Sequence, residues 1–71
     1  MTLSQRLREV RAAKGMSQPN VSEATGISLR AYRYYESGHS EPTASVLISI
    51  AKAFDVSIDY LVGLSDKPHR E

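Results

Sequence analysis

The sequence predicts an all-α fold, a compact bundle of five short helices, and three observations carry that prediction. Thr2, Ser17, Ser28, Thr43 and Ser57 each stand directly before a segment whose apolar side chains recur at helical spacing. These segments run out at residues that tolerate left-handed backbone: Gly15, Gly26, Gly38, Asp55 and Gly63. No segment alternates apolar and polar residues in the manner of a half-buried strand.

The first helix starts after Thr2, which forms a capping box with Gln5, and its inner face carries Leu3, Leu7 and Val10 before Gly15 stops it. Ser17 caps the second helix, with Pro19 in the first turn, where a missing N–H costs nothing. Val21 and Thr25 lie four apart on its inner face, and Gly26 ends it. The third helix runs from the Ser28 cap to Gly38, and the loop His39-Ser40-Glu41-Pro42 follows. Thr43 caps a fourth helix with Val46, Leu47, Ile50 and Phe54 on its apolar face and Asp55 at its exit. Ser57 caps a short fifth helix with Ile58, Leu61 and Val62, ending near Gly63. The remaining residues, 65–71, form a polar tail that is expected to fray.

Seventy-one residues make one domain at most. A chain of this size buries only about 60% of its unfolded surface, so its core is marginal. It contains no cysteine, which rules out disulfides and thiolate zinc sites as staples and fits a reducing compartment. The N-terminus has no apolar run of signal-peptide type, and no segment approaches the roughly 18 apolar residues that span a bilayer. A cytoplasmic protein without membrane attachment is expected. The net charge is only +1, yet residues 1–14 carry a balance of +3 and residues 41–71 a balance of −2. Such asymmetry fits one face for a polyanion, and equally fits ordinary surface charge.

Residues 17–38 hold the most information. Two short helices around a tight turn describe a helix-turn-helix, a motif that delivers its second helix into the DNA major groove. At 100° per residue, Ser28, Ala31, Tyr32, Tyr35 and Glu36 share one side of the third helix, whereas Leu29, Arg30, Arg33, Tyr34 and Ser37 fill the other. Tyr32 and Tyr35 are therefore assigned to core packing. The second stripe suits base edges: arginine's planar fork matches guanine O6 and N7, and leucine packs on the thymine methyl. A merely solvated face is the competing reading of the two arginines. Ser17, Gln18 and Ser28 stand at helix N-termini, where backbone amides favour phosphate, and Ser37, His39 and Ser40 add small donors at the exit of the third helix.

These residues, in this order, closely resemble the Cro/C1-type (XRE-like) helix-turn-helix family of phage repressors and bacterial regulators. RLREVRAAKGMSQ resembles the family's first helix and its Gly-x-Ser-Gln entry to the second. TGISLRAYRYYESGHSEP resembles its turn, recognition helix and Tyr-Glu-x-Gly exit, and LISIAKAFDVSIDYLVG its last two helices. The resemblance implies a lambda-repressor-like domain over residues 1–64, with the helix-turn-helix formed by helices 2 and 3. It places base reading on Leu29, Arg30, Arg33 and Tyr34, a phosphate contact on Gln18, and a partly buried ion pair between Arg11 and Glu36. Departures from the family pattern are Ser22 for alanine, Pro19 and Asn20 for acidic residues, and Leu29 for a polar one.

The function expected is a sequence-specific DNA-binding transcriptional regulator, a repressor, reading double-stranded DNA as a homodimer on a palindromic operator. The resemblance implies self-association through the fifth helix and its flanks, with Val56, Ile58, Tyr60 and Leu64 as candidates, some of which must serve the core instead. An antitoxin that binds a toxin and represses its own promoter is the alternative, and an interaction domain that has lost DNA binding is a third. An enzyme is not expected. His39 and His69 lack partners at metal-ligand spacing, no phosphate-binding glycine loop is present, and the serines are explained by capping. No cofactor or metal is expected. With no effector-binding domain expected in 71 residues, control falls to concentration, degradation, or a partner protein such as a toxin or antirepressor.

Overall fold

Each helix begins where a Ser or Thr oxygen satisfies an amide that the helix itself cannot. The computed structural model describes residues 1–68, with helices α1 (Leu3–Ala13), α2 (Gln18–Thr25), α3 (Leu29–Ser37), α4 (Ala44–Phe54) and α5 (Ile58–Leu61). Among the described residues there is no strand. Thr2, Ser17, Ser28, Thr43 and Ser57 are the five N-caps. The Thr2–Gln5 capping box is closed on both sides, at 3.2 and 2.9 Å. A second box, which the sequence pattern does not announce, closes at α2. The Asn20 amide donates to Ser17 Oγ at 3.1 Å, and the Ser17 amide donates to Asn20 Oδ1 at 3.0 Å. Asparagine here fills the place usually taken by Glu or Gln.

The helices close around one core of Leu7 and Val10 from α1, Val21 from α2, Tyr32 from α3, Ile50, Ala51 and Phe54 from α4, then Val56, and Leu61 from α5. α3 packs between α1 and α2; α4 supports α2 from behind, and α5 joins α4 to α1. Asp55 takes left-handed geometry (φ 55°) at the exit of α4, the backbone that its side chain tolerates better than most. The turn directs Val56 inward, where it is 1% exposed. This corrects its expected place at a subunit interface, because a side chain consumed by its own core offers nothing to a partner.

Arg6 secures the α1–α5 junction in a way that its charge conceals. It is buried, with its guanidinium 4.0 Å from the centroid of the Tyr60 ring and Nη1 donating to the Tyr60 carbonyl at 2.7 Å. Tyr60 is accordingly half-buried against the core, whereas Ile58 and Leu64 remain exposed. Residues 65–68, part of the tail expected to fray, turn back toward α5. The Ser57 amide donates to the Pro68 carbonyl at 3.1 Å, bringing this segment back onto the start of α5. The last three residues of the expected tail, His69 to Glu71, lie outside the described residues. Among the described residues, no helix is long and apolar enough to cross a membrane.

Candidate nucleic-acid interface

The turn that sets α3 against α2 is held by three side chains and one glycine. Gly26 adopts φ 75°, a left-handed backbone that would strain a residue with a Cβ. Thr25 Oγ1 donates to the Val21 carbonyl at 2.7 Å and accepts the Ile27 amide at 3.3 Å. Ser22 Oγ donates to the Ile27 carbonyl at 2.5 Å. Alanine at position 22 could not make that bond, so the departure from the family pattern has a structural role. Ile27 then packs against the core and fixes the start of α3.

α3 divides into the two faces its sequence predicts. Tyr32 and Glu36 are buried, Tyr35 is half-buried against the core, and Arg30, Arg33 and Ser37 are exposed. Leu29 and Tyr34 on the outward stripe are half-buried, so Leu29 is less open than a solvent-facing leucine would be.

Glu36 is 3% exposed and anchors the inner face. Arg11 grips its carboxylate with two donors, Nε to Oε2 at 2.6 Å and Nη2 to Oε1 at 3.1 Å. The third nitrogen, Nη1, donates to the Met16 carbonyl at 3.0 Å. Arg11 thereby joins α1, α3 and the loop before α2 through one planar fork. Arg8, which the sequence does not single out, donates to the Glu36 main-chain carbonyl, one of the acceptors left free at the end of α3. Burial alone would push the Glu36 carboxyl up; the hydrogen bonds from Arg11 and Gln18, with the Arg11 charge and the nearby Tyr32 hydroxyl, outweigh it and hold the group below its ordinary value. The Glu36 bond raises Arg11 in turn. The Tyr32 hydroxyl is buried beside this pair without a hydrogen-bond partner among the described residues, and burial first, then the Glu36 carboxylate, pushes its pKa up.

The cluster extends to the surface through Gln18. Gln18 Nε2 donates to Glu36 Oε1 at 3.1 Å, and Gln18 Oε1 accepts from Arg33 Nε at 3.3 Å. A continuous set of bonds thus runs from the buried ion pair to an exposed arginine. Further along the stripe, Arg30 donates to the Tyr34 hydroxyl, and the Tyr34 ring lies against His39.

The remaining polar candidates differ in what they can still offer. Ser17 and Ser28 use their oxygens as caps, accepting from Asn20 and Ala31, which leaves each hydroxyl proton for an outside acceptor. Ser37 instead donates to the Tyr34 carbonyl at 3.1 Å and accepts from the His39 amide at 3.4 Å, so its proton is already engaged. Ser40 is exposed, and its amide turns back to the Tyr34 carbonyl at 3.4 Å. At the start of α2, Pro19 has no N–H and Asn20 is capped. The first turn therefore presents the Gln18 amide, fewer free donors than an uncapped helix end would.

Two helices clamped around a left-handed turn, with the second presenting its charged stripe outward, define a helix-turn-helix domain. A family model described as "Helix-turn-helix" matches residues 7–61, and the chain belongs to this Cro/C1-type (XRE-like) family, as its motifs imply. It is 38% identical over 64 residues to the uncharacterised HTH-type transcriptional regulator YobD of Bacillus subtilis, covering 90% of this chain and 57% of that protein. It is 41% identical over 63 residues to the cryptic phage CTXphi transcriptional repressor RstR of Vibrio cholerae, covering 89% and 56%. The chain thus spans just over half the length of these relatives. In structure it resembles the P22 c2 repressor solved with a synthetic operator, with a TM-score of 0.84, 26% identity, and coverage of 92% of this chain and 98% of that one. A transcriptional regulator from Listeria innocua gives a TM-score of 0.79 at 27% identity, covering 99% and 65%. The expected five-helix, lambda-repressor-like fold is borne out.

Proposed function

We propose that this chain is the sequence-specific DNA-binding domain of a transcriptional repressor acting in the cytoplasm, with α3 reading the major groove. The observation that carries this reading is the α3 stripe itself. Arg30 and Arg33 stand exposed on a helix that is locked to the bundle by Glu36, and neither is neutralised by a carboxylate among the described residues. A merely solvated face has no need of such anchoring. Arg30 and Arg33 read guanines, Leu29 packs on a thymine methyl, and Tyr34 belongs to the same stripe through its bond to Arg30. Ser17, Gln18, Ser28, Ser37, His39 and Ser40 line the phosphate side, with Ser17, Ser28 and the Gln18 amide holding the donors best placed for phosphate oxygens. Support from outside the chain comes from the P22 c2 repressor, whose structure with a synthetic operator has the same fold.

The active form in this reading is a homodimer. The domain measures 29 Å in its longest direction, shorter than the ~34–36 Å between half-sites on one DNA face, so one copy reads one half-site. Ile58 and Leu64 are the exposed apolar residues beside α5 available to a second copy, with the half-buried Tyr60 at their margin. Selection from a pool of randomised duplexes tests the function: palindromic sites containing guanine are expected, and failure to enrich any sequence at any salt concentration overturns it. Sedimentation tests the assembly. Leu64→Asp is expected to weaken self-association while leaving the melting temperature unchanged, whereas Val56→Ala is expected to destabilise the domain itself by about 1–3 kcal/mol. A wild-type protein that stays monomeric both free and on the selected site contradicts the dimer.

A further inference from the structure

Arg30 and Tyr34 lie one turn apart on α3, and the contact between them is more specific than proximity requires. Arg30 donates to the Tyr34 hydroxyl oxygen from both Nε and Nη2, at 3.2 and 3.1 Å. The guanidinium carbon stands 5.5 Å from the ring centroid. The Tyr34 ring also meets His39, with ring centroids 4.4 Å apart and planes inclined by 39°. Tyr34 therefore joins an arginine of the outward stripe to the turn that follows α3.

The chemistry of this bond decides how Arg30 can be used. A guanidinium has five N–H donors in a rigid plane. The phenol oxygen occupies the edge formed by Nε and Nη2, and the end of the fork, Nη1 with the second Nη2 hydrogen, stays free. Two parallel donors at that end match O6 and N7 of guanine. Because the holding group is neutral, Arg30 keeps its full charge for a polyanion, which a carboxylate partner would have cancelled. Arginine loses much rotamer freedom when it is fixed, and a tyrosine that restrains it beforehand reduces the entropy lost on binding.

We propose that Tyr34 is a positioning residue, whose hydroxyl sets Arg30 to read a guanine end-on and whose ring ties that reader to the His39 turn. The inference rests on α3 being the DNA-facing helix. Its test compares the wild type, Tyr34→Phe, Arg30→Ala and the double variant on the wild-type selected site and on copies with each guanine replaced. Tyr34→Phe keeps the ring and the His39 contact and removes only the acceptor. The wild type is expected to discriminate one symmetric guanine position, and Tyr34→Phe to lose about tenfold of that discrimination. Melting temperature is expected to stay unchanged, and the double variant to lose no more than Arg30→Ala alone, since the two residues act as one.

A Tyr34→Phe protein with wild-type discrimination, or a double variant whose losses add, overturns the proposal. Nuclear magnetic resonance of the free protein separates this from failure of the DNA reading. The Arg30 Nε–H signal is expected to be protected from solvent exchange in the wild type and unprotected in Tyr34→Phe. If the wild type enriches no sequence, the reading of α3 and the proposal fall together. If it enriches a site while Arg30 Nε–H exchanges equally fast in both proteins, the role of Tyr34 alone is overturned.

Discussion

At the scale of single residues, Glu36 bears the most consequence, because one carboxylate receives Arg11 from α1, Gln18 from α2 and the neighbourhood of Tyr32. Glu36→Gln removes the charge and leaves Arg11 without its counter-ion. Breaking a buried pair costs about 3–5 kcal/mol, and the lower end applies here because Arg11 retains 22% exposure. A fall in melting temperature of roughly 10 °C or more follows for a domain this small. The pH dependence has a definite sign. The folded-state pKa of Glu36 lies below its ordinary value of 4.5, so the folded protein binds fewer protons there than the unfolded chain. Its contribution is therefore complete above 4.5 and is lost as pH falls through the lowered folded value. Thermal melts between neutral and acidic pH are expected to give a shallower acid decline for Glu36→Gln than for the wild type. Parallel curves would contradict the pairing. Arg11 and Glu36 were legible only through the family resemblance. Arg8, Arg6 and the Gln18 bridge were not legible, since a surface-type charge in a sequence does not disclose which carbonyl or ring it will meet.

At the scale of elements, the helix-turn-helix geometry depends on a left-handed glycine and a hydroxyl. A Cβ added at Gly26 would meet nothing within 4 Å, so the cost of a substitution there is conformational and not steric. Gly26→Ala is expected to destabilise by roughly 1–2 kcal/mol, and Gly26→Asn by less, because asparagine tolerates this backbone. Equal losses in chemical denaturation would contradict that account. The five caps and the exit at Asp55 were readable because capping is local, decided by residues three apart. The Ser22 bond was not readable. It spans five residues across a change of chain direction, and its acceptor is a main-chain carbonyl that carries no sequence signal. Which of the four α5 candidates serves the core, Val56, was not readable for a related reason: an apolar residue at the end of a helix serves a core and an interface equally well until the turn geometry is known.

At the scale of the whole molecule, the fold leaves one structured, charged face open while spending its aromatic Tyr32 and acidic Glu36 on internal support. The bonds from Arg11 through Glu36 and Gln18 to Arg33 make that face an extension of the core, a link that no residue pattern revealed. The most direct test is to repeat the randomised-duplex selection with the wild type and Arg33→Ala side by side. If α3 reads bases, Arg33→Ala is expected to recover the wild-type consensus with preference relaxed by about 1–3 kcal/mol at one symmetric pair of positions. A consensus unchanged at every position, with affinity reduced equally for selected and random DNA, would contradict base reading by this face.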